Sequence, residues 1–400
     1  MRALIITSSF HPVVGGAETY AYEVARGLAQ AGHLVHVVTD LPRGARPGSG
    51  FPQDPEGVTV RRLHRFRELL ADESKIYWEQ MAFGLHPELE SCALELRPDV
   101  VLTNSLDTAV LGKTLALALG IPWAAAFHEQ DPAAEPLGGA RMRLVYQVLA
   151  PDLVLAGSEF YADRARRWGR PEHVEVIHHG VDTDRFHPGA GGCGVRNRYG
   201  VPDGSVLVVC AGRFKARKGQ LETLRAFAVL HEHDPAARLL LVGSVSSASE
   251  EYARQLEAEV DRLGLRDAVR IDREVTFDRM PAVLAAADIV AQPSHAEGLG
   301  LAVLEAMSSG RATVTTDITG VREILTVPGI AETVPPGEVA PLAAVLVRLA
   351  ADRDGRSALG GRAREHVTAA FSRQRMVART ESALAALVAR NDTRLERQHV

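Results

Sequence analysis

The sequence predicts an α/β protein with two doubly wound domains, each built on a parallel sheet. Three observations carry the prediction: a length of 400 residues, an apolar share of 46%, and short β-branched runs that alternate with longer helical patterns. Since a domain usually holds about 100 to 200 residues, this length exceeds one ordinary core. Strands that alternate with helices are typical of parallel sheets with crossover helices.

The predicted strands form two series along the chain. The first series is Ala3–Thr7, Val35–Thr39, Val58–Leu63, Val100–Thr103, Trp123–Phe127, Leu153–Leu155 and Val174–Ile177. The second series is Val206–Ala211, Leu239–Val242, Val269–Ile271, Ile289–Ala291 and Thr313–Thr315, with a long helical tail after Pro341. Helical patterns lie between most of the strands, so each series predicts a sheet of its own.

A segment rich in glycine and proline separates the two series. Residues 188–204 hold six glycines and two prolines, which punctuate the chain as domain linkers do. The predicted domains are therefore residues 1–187 and 188–375, and we expect a C-terminal helix at about 376–400 to pack back on the first domain. Two such sheets in tandem predict a cleft faced by the carboxyl ends of their strands.

Charge and cysteine content exclude several classes of protein. The chain has 45 basic and 50 acidic residues and a net charge of -5, so no basic excess points to nucleic acid. Its three cysteines lack the spacing of a zinc site or a disulfide framework and fit a reducing cytoplasm. No apolar stretch reaches about 18 residues, and the start lacks the pattern of a signal peptide, so we expect neither a membrane span nor secretion.

Two glycine motifs in the first half have ordinary structural explanations. Gly15 and Gly16 lie just before a helical pattern, where backbone N–H groups could approach an anion, yet a plain strand-to-helix turn fits equally well. Gly112-Lys113-Thr114 resembles the end of a phosphate-binding loop, but Asp107 occupies the position of the motif's first glycine. The surrounding pattern is helical, so we expect Lys113 to lie on a helix surface.

Asp182-Thr183-Asp184 has the spacing of a metal-binding motif. A divalent ion held there could neutralise a diphosphate. A turn is the favoured interpretation, because aspartates in turns commonly accept hydrogen bonds from their own backbone. The preceding His178 and His179 would diverge on extended backbone and lack a third ligand, so we expect no metal site.

A cluster of four cations follows the first strand of the second series. Arg213, Lys215, Arg217 and Lys218 lie within six residues, with a glycine on either side. Only four of the 45 basic residues in the chain are lysines, and two of them fall here. Cations at the carboxyl end of a parallel strand, flanked by glycines, favour a phosphate site over a solvated run of charge.

The strongest pattern in the sequence is the segment Pro293–Met307. Glu297 precedes a predicted helix and Glu305 lies inside it, so the two carboxylates could contact separate hydroxyl-bearing groups with a diphosphate between them. Gly298 and Gly300 would let backbone N–H groups reach phosphate oxygens at the helix start. The joint pattern favours a binding site over two unrelated helix-end charges.

With these motifs in place, the chain resembles the retaining glycosyltransferases of family 4, which have the GT-B fold of two Rossmann-like domains facing a central cleft. The resemblance spans nearly the whole sequence, and its matches are Gly15-Gly16, Ala156-Gly157-Ser158, Val181-Asp182, Gly212-Arg213, Lys218-Gly219, Ala287-Asp288, Pro293-Ser294 and Glu297 to Glu305. The last match is the family's pair of glutamates with seven residues between them. Three positions depart from the family: His179, Arg273 and Arg311-Ala312.

The resemblance implies that a nucleotide-diphosphate sugar binds mainly to the second domain, with no cofactor and no metal ion. Arg213 and Lys218 would contact the diphosphate and stabilise the leaving group. Glu297 would hold the transferred sugar, Glu305 the ribose hydroxyls, and His128 would face the sugar. The remaining donor contacts that the family implies are Gly15, Gly16, Gly298, Leu299, Gly300 and Leu301, with Gly243 and Val275 at the base.

The resemblance implies transfer of a sugar from such a donor to a hydroxyl of a small-molecule or lipid acceptor, with retention of the anomeric configuration. A UDP-sugar is the favoured donor because uridine nucleotides are the most frequent in such families. Asn104, Glu129 and Asp131 are polar candidates for the acceptor pocket. A hydrolase or epimerase acting on the sugar nucleotide is the alternative, followed by a non-catalytic sugar-nucleotide sensor. The sugar, the acceptor and the oligomeric state stay open.

Two basic segments of the first domain raise the question of weak peripheral contact with a membrane. They are Arg61–Arg67 and Arg164–Arg170, the second of which includes Trp168. Basic segments with aromatic residues can lie on an anionic bilayer. Solvated faces explain them more simply, so membrane contact is kept only as an alternative.

Overall fold

The structure of the chain is a computed structural model, which describes all residues except 14, 43–44, 47–50, 53, 64–76, 129–137, 170, 172, 246–248 and 399–400, and the side chains of 77–83 and 394–398. The chain forms two compact units, residues 1–179 with 374–400 and residues 180–373. The second unit thus begins at Gly180, ahead of the sequence-based boundary at 187, and Gln374 returns to the first unit. The cleft between domains stays a prediction.

The described part of the first unit contains a sheet of seven strands. They are β1 (Arg2–Ile6), β2 (Leu34–Asp40), β3 (Val58–Leu63), β4 (Val100–Thr103), β5 (Trp123–Ala125), β6 (Leu153–Ala156) and β7 (Val174–Val176). Their order across the sheet is β3-β2-β1-β4-β5-β6-β7, and the neighbours run parallel. The chain reverses its direction of travel across the sheet between β1 and β4, and ligands of doubly wound sheets bind beside such a reversal.

Helices connect these strands and cover both faces of the sheet. They are α1 (Gly16–Gln30), α2 (Tyr77–Leu96), α3 (Ala109–Leu119), α4 (Gly138–Arg143) with a π-helical continuation over Leu144–Leu149, and α5 (Glu159–Trp168). In β1, Leu4 and Ile6 pack into one core while Ala3 and Ile5 pack into the other, because successive side chains of a strand point to opposite faces. Strands buried on both faces read as continuous apolar runs, which is why the sequence predicted them well.

The described part of the second unit contains a sheet of six strands. They are β8 (Leu207–Ala211), β9 (Arg238–Val242), β10 (Val269–Asp272), β11 (Ile289–Gln292), β12 (Ala312–Thr316) and β13 (Glu332–Val334). Their order is β10-β9-β8-β11-β12-β13, with parallel neighbours throughout. The reversal in this sheet lies between β8 and β11.

The helices of the second unit surround this sheet, and the last helix of the chain belongs to the first unit. The helices of the second unit are α6 (Gly192–Arg198), α7 (Gln220–His233), α8 (Glu250–Arg262), α9 (Met280–Ala286), α10 (Leu301–Ser308), α11 (Thr319–Arg322), α12 (Val339–Ala351) and α13 (Arg353–Ala370). The last helix is α14 (Arg373–Gln398). Leu384 and Leu387 of α14 are buried in the core that contains Ala3 and Ile5. The C-terminal helix therefore contributes directly to the core of the first unit.

The chain enters and leaves the second unit at one place. Val181 forms a parallel bridge with Ser372, and the Val181 N–H donates to the Phe371 carbonyl at 2.8 Å. A side chain at Gly180 would collide with the Ser372 carbonyl oxygen. The glycine thus permits the close approach of the two connecting segments.

The structure contains every strand that the sequence predicted, with ends that agree within two residues. The largest difference is at β5, which ends at Ala125 rather than at Phe127. β13 was not predicted, because only Val334 of its three residues is buried and the segment carries no apolar run. Lys113 lies in α3, as the helical pattern indicated. None of the described helices combines the length and the hydrophobicity that a membrane-spanning helix needs.

Candidate active site

Two loops meet at the reversal point of the second unit, after the carboxyl ends of β8 and β11. The first runs from Gly212 to Gly219, and the second from Pro293 to Gly300. Gly219 has φ +72°, and a side chain there would collide with the Pro293 carbonyl oxygen. Glycine is therefore required at this contact, since it alone adopts a left-handed conformation without strain and leaves room for the neighbouring backbone.

Glu297 receives its partners from both loops. Lys218 Nζ lies 2.5 Å from Glu297 Oε1, and the Ser294 hydroxyl donates to the same oxygen at 2.7 Å. Arg217 Nη1 lies 3.6 Å from Glu297 Oε2. The structure thus brings Lys218 and Glu297, which the sequence predicted as site residues, into direct contact. It adds Arg217 and Ser294, whose contacts with Glu297 no sequence pattern predicted.

Opposing influences set the charge of Glu297. Burial favours the neutral acid, but the Lys218 ammonium, with the Ser294 hydroxyl and the Arg217 guanidinium, holds the pKa of Glu297 below its ordinary value. The side chains of Lys218 and Glu297 are only 14% and 11% exposed, so little water screens the pair. Glu297 is therefore a carboxylate at neutral pH.

The other predicted cations differ in their environment. Arg213 is exposed, and among the described residues its guanidinium has no hydrogen bond or ion pair. Burial, with the charges of Arg213, Arg217 and Lys218, lowers the pKa of Lys215, which shows that the positive charges lie close together. A concentration of positive charge around one free guanidinium is suited to binding an anion.

Gly300 and Glu305 are placed by the start of α10. Gly300 caps the helix with φ +103°, a left-handed conformation that favours glycine. Glu305 lies in the second turn, on a helix that begins at Leu301, and burial raises its pKa to about 7, against the charges of Arg185 and Lys218. Glu305 therefore titrates near neutrality, whereas Glu297 does not.

The predicted base contacts lie beside the same loops. Gly243 follows β9 with φ +156°, and a side chain there would collide with the Gly212 carbonyl. Val275 follows β10 and packs against a core of the second unit. Arg273, which departs from the family, pairs instead with Glu257 at 2.5 Å and with Glu250 at 3.2 Å. Its side chain is thereby tied to α8.

Asp182, the first residue of the possible metal motif, forms a turn. Its Oδ1 accepts the backbone N–H groups of Asp184 and Arg185, each at 3.2 Å, and its Oδ2 lies 3.1 Å from Arg373 Nη1. The turn interpretation is confirmed by these bonds.

His128 of the first unit is held in one tautomer. Asn104 Nδ2 donates to the Ala17 carbonyl at 3.0 Å, which leaves Asn104 Oδ1 to accept from His128 Nε2 at 2.9 Å. The hydrogen is therefore on Nε2, and the lone pair is on Nδ1. Nδ1 is buried and has no partner among the described residues. His128 can thus accept a hydrogen bond from a ligand hydroxyl through Nδ1.

A second histidine and a tyrosine complete this cluster, which no motif in the sequence indicated. The ring centres of His128, His179 and Tyr20 are 4.5 to 4.9 Å apart. Burial, with the neighbouring His179 and Arg164, keeps the pKa of His128 well below its ordinary value. Burial, with the neighbouring His178, lowers the pKa of His179 to about 4. Both imidazoles are therefore neutral at physiological pH.

The remaining predicted residues of the first unit have varied positions. Gly15 is the N-cap of α1 with an extended φ of -173°, which any residue adopts, and Gly16 is exposed. Asn104, proposed for the acceptor, is the partner of His128. Glu129 and Asp131 lie outside the described residues.

Two family models match the chain and together span most of it. "Glycosyltransferase Family 4" matches residues 14–185, and "Glycosyl transferases group 1" matches residues 195–366. The chain belongs to glycosyltransferase family 4. The sequence-based resemblance is thereby confirmed.

Curated relatives of this glycosyltransferase include two D-inositol 3-phosphate glycosyltransferases. The enzyme of Streptomyces scabiei is 27% identical over 331 residues, which cover 76% of this chain and 72% of that protein. The enzyme of Streptomyces bingchenggensis is 30% identical over 273 residues, which cover 67% of this chain and 57% of that protein. The matching regions thus leave part of each relative unmatched.

Solved structures identify the fold of this glycosyltransferase as GT-B. Anabaena HepE in complex with UDP and glucose has a TM-score of 0.79 at 22% identity, covering 96% of this chain and 99% of that chain. Sucrose-phosphate synthase from Thermosynechococcus elongatus has a TM-score of 0.79 at 20% identity, covering 97% and 100%. The predicted fold class is confirmed.

Proposed function

We propose that this glycosyltransferase moves a sugar from a nucleotide-diphosphate sugar to a hydroxyl group of a small-molecule or lipid acceptor, with retention and without a metal ion. The observation that carries the proposal is the contact of Lys218 with Glu297 at the reversal point of the second sheet. The contact places a cation that can bind a diphosphate beside a carboxylate that can accept hydrogen bonds from sugar hydroxyls.

The cations act on the leaving group. When the bond between the anomeric carbon and the phosphate oxygen breaks, negative charge develops on the departing diphosphate. Arg213 presents a free planar guanidinium that can bind two oxygens, and Lys218 presents a compact ammonium. Fixed positive charges in a partly buried site stabilise the developing charge without solvent reorganisation. We assign the role that a metal ion plays elsewhere to these two side chains.

The carboxylate and the histidine act on the sugar. The sugar gains positive oxocarbenium character as its bond to phosphate breaks, and Glu297, ionised by its partners, can both accept its hydroxyls and stabilise that charge. His128 Nδ1 offers a second acceptor for a hydroxyl. Glu305 is assigned to the ribose, which presents two neighbouring hydroxyl donors.

Retention requires the acceptor to attack from the face that the diphosphate leaves. In the proposed step the bond between the anomeric carbon and the phosphate oxygen breaks, and its electron pair stays with the diphosphate. The acceptor oxygen forms the new bond to that carbon. The acceptor's proton passes to the leaving phosphate oxygen, so the step needs no other base.

The relatives favour particular substrates for this proposal. HepE was solved with UDP, which supports a uridine nucleotide as the first donor to test. Several relatives are named D-inositol 3-phosphate glycosyltransferases, which supports a polyhydroxylated small acceptor. A cytoplasmic setting, expected from the cysteines, completes the proposal.

The experiment combines a donor screen with turnover. A nucleotide sugar that binds the folded chain raises its apparent melting temperature, and the best donor is then incubated with candidate acceptors, with and without EDTA. We expect Glu297→Ala to lower turnover by about a hundredfold or more, while Glu251→Ala, at an exposed position of α8, leaves it unchanged. NMR of the product's anomeric proton reports retention.

Three results would overturn the proposal. Wild-type turnover in Glu297→Ala would remove Glu297 from the site. An altered or hydrolysed donor sugar without acceptor would favour the epimerase or hydrolase. Loss of turnover in EDTA, restored by a divalent ion, would show that a metal is needed.

A further inference from the structure

The loop that carries Glu297 is hydrogen-bonded to residues 217–222, a segment that ends in the first turn of α7. The pattern of two glutamates does not itself require these bonds. The His295 backbone N–H donates to the Arg217 carbonyl at 2.8 Å. Arg217 Nη1 donates to the Ala296 carbonyl at 2.8 Å. His295 Nε2 lies 2.9 Å from Glu222 Oε1. Of these contacts, only the last joins two side chains and can be removed by substitution at either end.

His295 is the hydrogen-bond partner of the Glu222 carboxylate. The Glu222 side chain lies in the first turn of α7 and is 18% exposed, and its second carboxylate oxygen is buried without a partner among the described residues. A carboxylate in that position is favoured by the helix start but needs a hydrogen-bond donor when it loses water. The His295 ring, 42% exposed, supplies the donor.

The bond between His295 and Glu222 restrains the loop that carries Glu297 rather than the position of Lys218. Lys218 directly precedes the Gly219 cap of α7, so its position follows from the helix. Glu297 lies two residues beyond His295 in a loop without regular structure. We propose that His295 and Glu222 are positioning residues that hold Glu297 in place for the transferred sugar. The inference rests on the proposed function, because it takes the sugar as the group that Glu297 contacts.

The test compares binding of the nucleotide sugar with binding of the nucleoside diphosphate alone. We expect His295→Ala to weaken binding of the nucleotide sugar by roughly three- to fivefold, as a partly exposed pair should, and to lower kcat. Binding of the nucleoside diphosphate alone should change less, because Arg213 and Lys218 lie in the segment before α7 and not in the loop. The measured quantity is the ratio of the two Kd values, which a general loss of stability would not move.

Matched variants define the pair. His295→Gln keeps a side-chain N–H of similar reach and should restore the wild-type ratio. Glu222→Ala should match His295→Ala, and the double variant should be no worse than either, since both remove one bond. Hydrogen exchange of the backbone amides of residues 294–298 should become faster in His295→Ala but not in His295→Gln. This measurement reports on the loop independently of turnover.

Defined outcomes overturn the inference. It fails if His295→Ala has the wild-type ratio and the wild-type exchange rates, if both Kd values rise equally, or if the two single effects add in the double variant. These outcomes differ from failure of the proposed function, which would appear as full turnover in Glu297→Ala whatever His295 does.

Discussion

The Lys218 ammonium lies 2.5 Å from a carboxylate oxygen of Glu297, and the two groups are proposed to act on opposite sides of one reacting bond. That bond joins the sugar to the diphosphate. Groups that stabilise its two ends must therefore lie within a few ångströms of each other, and this contact meets the condition. The loops after β8 and β11 bring them together.

Lys218→Arg should lower kcat by about ten- to hundredfold, although the charge is kept. The planar guanidinium is larger than the ammonium and cannot occupy the same place between Glu297 and a phosphate. Steady-state kinetics with the best donor measure the effect. Lys113→Arg, on α3 of the first unit, is the matched control and should have wild-type kinetics. Wild-type kinetics in Lys218→Arg would show that charge alone matters.

Glu305 should make both stability and donor binding depend on pH. An unfolded glutamate ionises near 4.5, whereas burial raises the pKa of Glu305 to about 7. The folded state therefore loses stability as pH rises from about 4.5 to about 7, because ionisation is harder in the fold. The ionised form is the better acceptor for ribose hydroxyls, so the Kd for the nucleotide sugar should fall as pH rises through about 7.

Glu305→Gln should remove both effects. Its melting temperature should exceed that of the wild type above pH about 7 and match it well below pH about 4.5, where the wild-type carboxyl is neutral in both the folded and the unfolded state. Its Kd for the nucleotide sugar should be weaker and nearly independent of pH. Parallel pH profiles for the two proteins would contradict the assignment.

Asn104→Asp should introduce an acid-sensitive step. A carboxylate beside His128 Nε2 would favour the imidazolium and raise the pKa of His128 toward its ordinary value. Protonation turns Nδ1 from an acceptor into a donor, so turnover should fall at acidic pH and recover at alkaline pH. NMR titration of the ring and the pH profile of turnover measure this change. Asn104→Ala adds no charge. It should lower turnover without adding a fall in turnover at acidic pH.

Gly219→Ala should destabilise the second unit more than Gly264→Ala does. The two glycines have similar φ values, +72° and +68°, but only at Gly219 would the added carbon meet the Pro293 carbonyl. Gly264→Ala should cost about 1 kcal/mol for its backbone conformation alone. Gly219→Ala adds the collision and should also lower turnover by displacing the loop. Thermal unfolding and kinetics test both, and equal losses would show that the collision is relieved.

The fold could be predicted because its strands carry local signals. A strand such as β1 is apolar on both faces, and such runs are visible without knowledge of their neighbours. β13 lacks that signal, because two of its three residues are at least partly accessible and its place depends on pairing with β12. The residue at which each unit begins depends equally on long-range packing.

The site was predictable only where chemistry and spacing coincide. Glu297, Glu305, Arg213 and Lys218 stand in a recognisable order. The His128 and His179 cluster was not predictable, because the rings meet through β5, β7 and their loops, far apart in sequence. The contacts of His295 with Glu222 and of Arg217 with Glu297 were missed for the same reason.

The bridge between Val181 and Ser372 means that the second unit is an insertion whose two ends adjoin. Residues 180–373 therefore begin and end side by side. A chimaera with another family member would need both junctions exchanged together. A single crossover near residue 180 would instead give the first unit a foreign C-terminal helix, and with it a mismatched core around Leu384.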